Sequence, residues 1–348
     1  MGLGRTLAFK GLSLLAVLFV VLLLTVGVIG ATGVSDKILN AIMGERLRGI
    51  RQTLSRTITD PDELNIAMTK IEEGMIVAYG LNKPWYERMP SMLMRILQLD
   101  LGNSRTVQTY KGSILISDII LERLPNTILI MVSVLILNFV LGLVIGVKAA
   151  TSPGSILDRV ISLYSSISFA VPTWWLGLLM ILTFSFFYRI FPFGGMYSTP
   201  PPQGDIPRLL DLLWHATLPI ITMTLALSGA WIYTTRSIVV TTAQEDFVNV
   251  ARAKGLSEQL VMWRYIIRTA APPLITNLTL SLAAYLGGAI LTETVFSWPG
   301  MGLLYYNAIS SVDEALILAL TYVFTLIYVV CRFALEIFYV LLDPRVRL

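Results

Sequence analysis

Glu293, Arg332 and Glu336 are ionisable side chains inside long apolar runs of this 348-residue chain, and chemistry within those runs would start from them. Burying a charge in such surroundings is costly, which makes each a candidate for a functional role. Arg332 and Glu336 are four residues apart, on one face of a helix, and read as a structural pair that neutralises itself. Glu293 has no partner nearby in sequence. It either lines an aqueous path or hydrogen-bonds to a neighbouring helix. The other common chemistries are missing: there is no Gly-x4-Gly-Lys-Ser/Thr loop to cradle nucleotide phosphates, and no Cys or His cluster with metal-ligand spacing. With one His and one Cys in the chain, His215 is expected to cap or pack, and Cys331 rules out an intrachain disulfide framework. No catalytic, cofactor-binding or metal residue is expected, so the chain is not read as an enzyme.

The elements that must position these residues are membrane helices. The chain is 55% hydrophobic and 14% charged, with a mean hydropathy of +0.73, too apolar for an ordinary soluble domain. A helical span needs about 20 mainly apolar residues. That template finds Gly11 to Gly30, Thr127 to Val147, Val160 to Phe187, Thr217 to Val239, Ile275 to Val295 and Ala315 to Leu342, six transmembrane helices in an all-α integral membrane protein. The first run is read as a retained span, because it is longer than a signal-peptide core and Ala31-Thr32-Gly33 is a poor cleavage site. Lys and Arg of the short loops (Arg5, Lys10, Lys148, Arg159, Arg236, Arg252, Lys254, Arg264, Arg268, Arg345, Arg347) fall on one side, which places both termini in the cytoplasm. The net charge of +4 is mostly this bias and implies no nucleic-acid partner. Gly142 and Gly146, and Gly287-Gly288, are points where helices can approach closely.

Two segments are hydrophilic enough to lie in water. Residues 31–126 form an extracytoplasmic segment between the first and second helices, with helices over Ser35 to Ile58 and Leu64 to Tyr79 broken at Asp60-Pro61-Asp62-Glu63. Gln244 to Ile275 separates two spans. Thr242 and Glu245 have capping-box spacing, Gly255 supplies a left-handed turn, Ser257 can cap a second helix, and Pro272 and Pro273 mark its passage to the membrane. Phe247, Val250, Ala251 and Lys254 share a face of the first helix; Leu260, Trp263, Ile267 and Ala270 share one of the second. Two short amphipathic helices at a Gly elbow are a handle for another protein.

This elbow, Ala251-Arg252-Ala253-Lys254-Gly255-Leu256-Ser257-Glu258 with Pro273 beyond it, resembles the coupling loop of ABC transporter permeases of the dipeptide, oligopeptide and nickel group. Glu293-Thr294-Val295-Phe296-Ser297-Trp298-Pro299-Gly300-Met301-Gly302 is similar to that group's signature after its fifth helix. Leu342-Asp343-Pro344-Arg345-Val346-Arg347 looks like its usual ending, and Glu122-Arg123-Leu124-Pro125-Asn126-Thr127 like its approach to the second helix. Asn82 to Tyr86 and Asp100 to Ser104 match as well, so the resemblance covers nearly the whole chain.

What the resemblance implies is a type I ABC importer permease in the cytoplasmic membrane, a subunit without chemistry of its own that forms half of a translocation path. Its implied partners are a second permease, two cytoplasmic P-loop ATPases that hold ATP and Mg, an extracytoplasmic solute-binding protein and membrane lipid. Short peptides lead as solute, with sugar oligomers or a metal chelate as the alternative; a stand-alone secondary transporter is the rival from another class. The ATPase-coupling residues would be Glu245, Asp246, Phe247, Val250, Ala251, Arg252, Ala253, Lys254 and Gly255, with Phe247 as the apolar anchor. The broader permease pattern Glu-Ala-Ala-x3-Gly is not kept, since Asn249 and Val250 stand in its first two places, which leaves Asp246 or Glu245 for the acidic contact. The implied organisation is 1–30 (cytoplasmic N-terminus and first helix), 31–126 (external helical segment) and 127–348 (five-helix core with its coupling loop at 240–272).

Overall fold

The computed structural model describes residues 3–58, 60–286 and 290–342, and regular structure among them is helical apart from one isolated β-bridge between Asn103 and Leu115. They fall into two compact units, a smaller one of Ala16–Ile119 with Asn307–Val323 and a larger one that holds the described residues of the remainder.

The long first helix, α1 (Leu3–Ala31), carries a stretch, Ala8–Val28, that is long and apolar enough to cross a membrane. In the smaller unit it is followed by α2 (Val34–Leu54), α3 (Pro61–Ala78) and α4 (Trp85–Leu97). The break before α3 is made by Asp60, whose side chain accepts the Asp62 N–H at 3.0 Å while Pro61 occupies the first turn. No periodicity argument anticipated α4, which buries Leu93 and Ile96 on one face. Just past it, the Arg95 guanidinium lies 2.8 Å from Asp100 and holds that carboxyl below the usual aspartate range. The turn at Ser104 wraps a buried carboxylate: Ser104 Oγ, the Arg105 and Thr106 N–H groups and Thr106 Oγ1 all donate to Asp313 Oδ2, at 2.7 to 3.1 Å.

The larger unit is built around one long helix. Its elements begin with α5 (Ile116–Leu141), which starts well before the expected Thr127 and passes through a π-helical turn, Gly142–Gly146, into α6 (Val147–Ala150). Next come α7 (Ile156–Ala170) and α8 (Thr173–Met180), the latter continued by π-helix Ile181–Phe187. The expected third span is therefore a pair bent by 97°. Pro172 causes the break: it has no N–H to donate and forces Val171 into extended backbone (φ −87°, ψ 119°). The central helix is α9 (Asp205–Ala243), 39 residues that extend the expected Thr217 to Val239 at both ends. Small residues let neighbours approach it. A Cβ on Gly146 would come within 2.8 Å of the Ile232 carbonyl, and one on Gly229 within 2.6 Å of Ser168 Cβ.

Beyond α9 lie α10 (Asp246–Ala253), α11 (Glu258–Leu260), π-helix Val261–Ile267, α12 (Arg268–Leu286), α13 (Ile290–Val295), α14 (Met301–Ser310) and α15 (Glu314–Leu342). The helix that starts at Glu258 runs on past Pro272 and Pro273, the residues expected to mark its passage to the membrane, and carries both inside α12. A π-helical turn lies just before them, and its wider winding puts Val261 and Ile266, five residues apart, on one buried face. Four described helices are long and apolar enough to cross a membrane, five if the bent pair is counted as one span. The expected run Ile275 to Val295 includes 287–289, which lie outside the described residues, as do Gly287-Gly288 and Asp343 to Arg347.

Candidate functional site

The elbow is positioned by the end of α9 and the start of α10. Glu245 is the extended N-cap of α10 (φ −69°, ψ 147°), but no side chain caps it, so the capping box expected from Thr242 and Glu245 is not formed. The cause is the length of α9, which keeps Thr242 in its last turn with Oγ1 donating to the Ile238 carbonyl at 2.9 Å. Ser257 likewise makes no cap bond to α11. Gly255 does take the left-handed conformation (φ +74°), with its N–H bonded to the Arg252 carbonyl at 2.9 Å. A Cβ there would meet nothing within 4 Å, so the backbone angle alone demands glycine.

Packing divides the residues that the sequence grouped on α10. Val248 and Ala251 are buried against Val147, Val239, Val261, Ile266 and Ala270. Phe247 is 38% exposed and Val250 53%, and Glu245, Asp246, Ala253 and Lys254 are exposed with them. The apolar side of this eight-residue helix is wide enough for two adjoining stripes, and the smaller one, Val248 with Ala251, is the one that docks onto the membrane helices. Arg252 is already engaged: Nε lies 3.0 Å from Glu258 Oε1 and Nη2 3.3 Å from Oε2, a fork that spans the elbow. On the following helix Leu260 and Trp263 are exposed, while the buried stripe runs through Val261, Ile266, Ala270 and Leu274. A cleft of about 510 Å³ opens beside the elbow, lined in part by Thr151, Pro153, Gln244, Arg252, Glu258 and Trp263.

The second constellation surrounds Glu293. Its side chain is 2% exposed; Oε1 accepts from Thr127 Oγ1 at 2.7 Å, and Oε2 accepts the N–H groups of Gly302 (2.7 Å) and Leu303 (3.1 Å). These N–H groups belong to the first turn of α14 and have no partner within the helix, so Glu293 caps it from outside. Thr127 Oγ1 also accepts the Met301 N–H at 2.7 Å. Trp298 Nε1 donates to the Asn126 carbonyl at 3.0 Å, and Asn126 Nδ2 donates to the Pro299 carbonyl at 2.7 Å. Of the two readings of Glu293, the path-lining one is corrected: the carboxylate is enclosed, and its oxygens are taken up by neighbouring elements. Gly300 is required here by space, since a Cβ would lie 2.4 Å from Glu293 Oε2.

Arg332 Nη2 lies 3.4 Å from Glu336 Oε1, and Lys10 Nζ bonds to Glu336 Oε2, a third member that sequence spacing within one helix did not reveal. His215 Nδ1 sits 2.9 Å from the Asp211 carbonyl, on the residue whose carboxylate accepts the Ser198 N–H and Oγ–H at 2.7 Å each. No group of potential metal ligands occurs among the described residues. Sequence reasoning also missed the pair of Asp158 and Arg236, whose Nη2 lies 2.8 Å from Oδ2 while the same oxygen accepts the Gly154 N–H at 2.8 Å. Arg236 had been counted only as a loop charge.

Residues 139–348 match the family described as "Binding-protein-dependent transport system inner membrane component". The chain belongs to that family. It is 33% identical, over 79% of its own length and 84% of the relative's, to the oligopeptide transport system permease protein AppB of Bacillus subtilis (strain 168). It is 29% identical, over 83% and 90%, to the di/tripeptide transport system permease protein DppB of Pseudomonas aeruginosa (strain UCBPP-PA14). Among solved structures, an inward-facing MetNI methionine ABC transporter matches with a TM-score of 0.52 at 17% identity, covering 68% of this chain and 100% of that one. At that identity the likeness shows the fold alone, the type I ABC permease fold. This permease is thus a multi-pass component of the cytoplasmic membrane, a transport subunit that works with ATPase and solute-binding components.

Proposed function

We propose that this permease imports short peptides, as one half of the membrane path of an ATP-driven importer whose other members are a second permease, two cytoplasmic ATPases and an extracytoplasmic binding protein. The names of its relatives, permeases for oligopeptides and for di- and tripeptides, support the solute class. In this reading both termini and the elbow are cytoplasmic, 31–126 is external, and 127–348 is the transporting core; this chain holds no cofactor, while ATP and Mg belong to the ATPases.

One observation carries the coupling role. α10 is fixed to the membrane helices by Val248 and Ala251, and the adjoining stripe leaves Phe247 and Val250 in solvent beside Asp246 and Lys254. A pinned helix with a bare apolar outer stripe can transmit a push from a partner, since force on the outside reaches the core through the inside. Glu245, Asp246, Phe247, Val250, Ala253 and Lys254 would touch the ATPase, Ala251 would anchor, and Arg252 with Gly255 would set the angle of the elbow. Purification from the native membrane in mild detergent, followed by mass spectrometry, tests the assembly. Two P-loop ATPases, a second permease and a binding protein with retained peptide are expected. A lone chain that moves solute without ATP would refute the reading.

A further inference from the structure

With the Asp158 and Arg236 end of these helices on the cytoplasmic side, as in the reading above, the bend between α7 and α8 lies deep in the membrane. Tyr164 and Ser168, just before it, bond to the carbonyls of Leu225 and Ala226 on α9, and Asp158 at the other end of α7 pairs with Arg236. From Arg236 to Leu225 is about 16 Å along a helix, which is half of a ~30 Å hydrocarbon layer. Broken backbone at that depth is tolerated where it is covered by protein or lines a watery cavity. A cleft of about 420 Å³ opens at this break, lined by Pro172, Thr173 and Trp174 of the bend and by Met223, Tyr285 and Thr292 among others. No lining residue is charged. The Tyr285 hydroxyl is held by Trp231 Nε1 at 3.3 Å, and no side chain caps the N-terminus of α8, whose first N–H groups are free to meet a carbonyl.

Building on the peptide reading above, we infer that this cleft is the solute-contacting surface of the subunit, recognising the neutral main chain of a peptide through hydroxyl and aromatic groups. Because it carries no charge, it passes acidic and basic side chains alike, and discrimination by charge is left to other components.

The test uses the intact importer reconstituted with its partners on a Cys331→Ser background. Trp174→Cys is expected to react with a charged, membrane-impermeant thiosulfonate about tenfold faster than Val20→Cys, an exposed apolar position on α1, because ionised reagents do not enter hydrocarbon. Equal, slow labelling overturns the inference and makes the cleft a lipid-facing or subunit-covered surface. Separately, Trp174→Glu and Trp174→Lys, matched for amount in the membrane, should each lower uptake of the like-charged peptide by about tenfold relative to the opposite one. Labelling without such discrimination also overturns it. Labelling uses no solute, so an importer that carries no peptide refutes the peptide reading while position 174 still decides the cleft.

Discussion

The Glu293 constellation and the elbow are both family motifs, yet they are opposite kinds of structure. Around Glu293 the polar groups turn inward: one carboxylate, one threonine and one asparagine connect α5, α13 and the start of α14 with distances near 2.7 Å. At the elbow the interior side is packed and the exterior is bare, with Phe247 and Val250 in water and the one bidentate ion pair exposed. A motif that is closed on itself serves the fold, while a motif with unmet apolar surface implies a partner.

Breaking the closed site should have the largest effect. Glu293→Ala strands the N–H groups of Gly302 and Leu303 and the Thr127 hydroxyl, and is expected to cost roughly 3 kcal/mol or more of stability, read as a large drop in melting temperature of the purified subunit. Wild-type melting would dissolve the contrast. At the open site Phe247→Ala should leave melting unchanged but weaken ATPase attachment by about 2 kcal/mol, measured as ATPase retained through purification. Full retention would move the anchor elsewhere.

Gly255→Val comes next. With nothing near the added side chain, only the left-handed backbone is strained, by about 1–2 kcal/mol. Insertion should survive while ATP hydrolysis uncouples from uptake; normal coupled uptake in proteoliposomes would remove the elbow from the mechanism. Smallest is Arg252→Ala, which opens a solvent-exposed pair and should change stability by under about 1 kcal/mol, while uptake per ATP falls modestly because the elbow loses its brace. A fall as deep as that of Phe247→Ala would show Arg252 to be a direct ATPase contact after all.

Much of the fold was legible because hydrophobic runs and charge asymmetry are properties of the chain itself. The all-helical class, the spans anchored at Gly11, Thr127, Thr217 and Ala315, and the left-handed glycine at 255 need no knowledge of neighbours. Three details were not readable in this way. The capping box at Thr242 failed because α9 runs on through it, the prolines at 272 and 273 lie inside α12 with helix continuing on both sides, and Phe247 parted from Ala251 because the core selected the smaller stripe.

The sequence by itself determined that this chain spans a membrane and bears a permease's motifs, since composition, spacing and residue type are local facts. Only the tertiary structure decided which carboxylate is shut in and which helix face is left open. Glu293 and Thr127 are far apart in the chain and Lys10 and Glu336 farther still, and a side chain's role depends on which donors, acceptors and carbons the fold brings within a few ångströms of it.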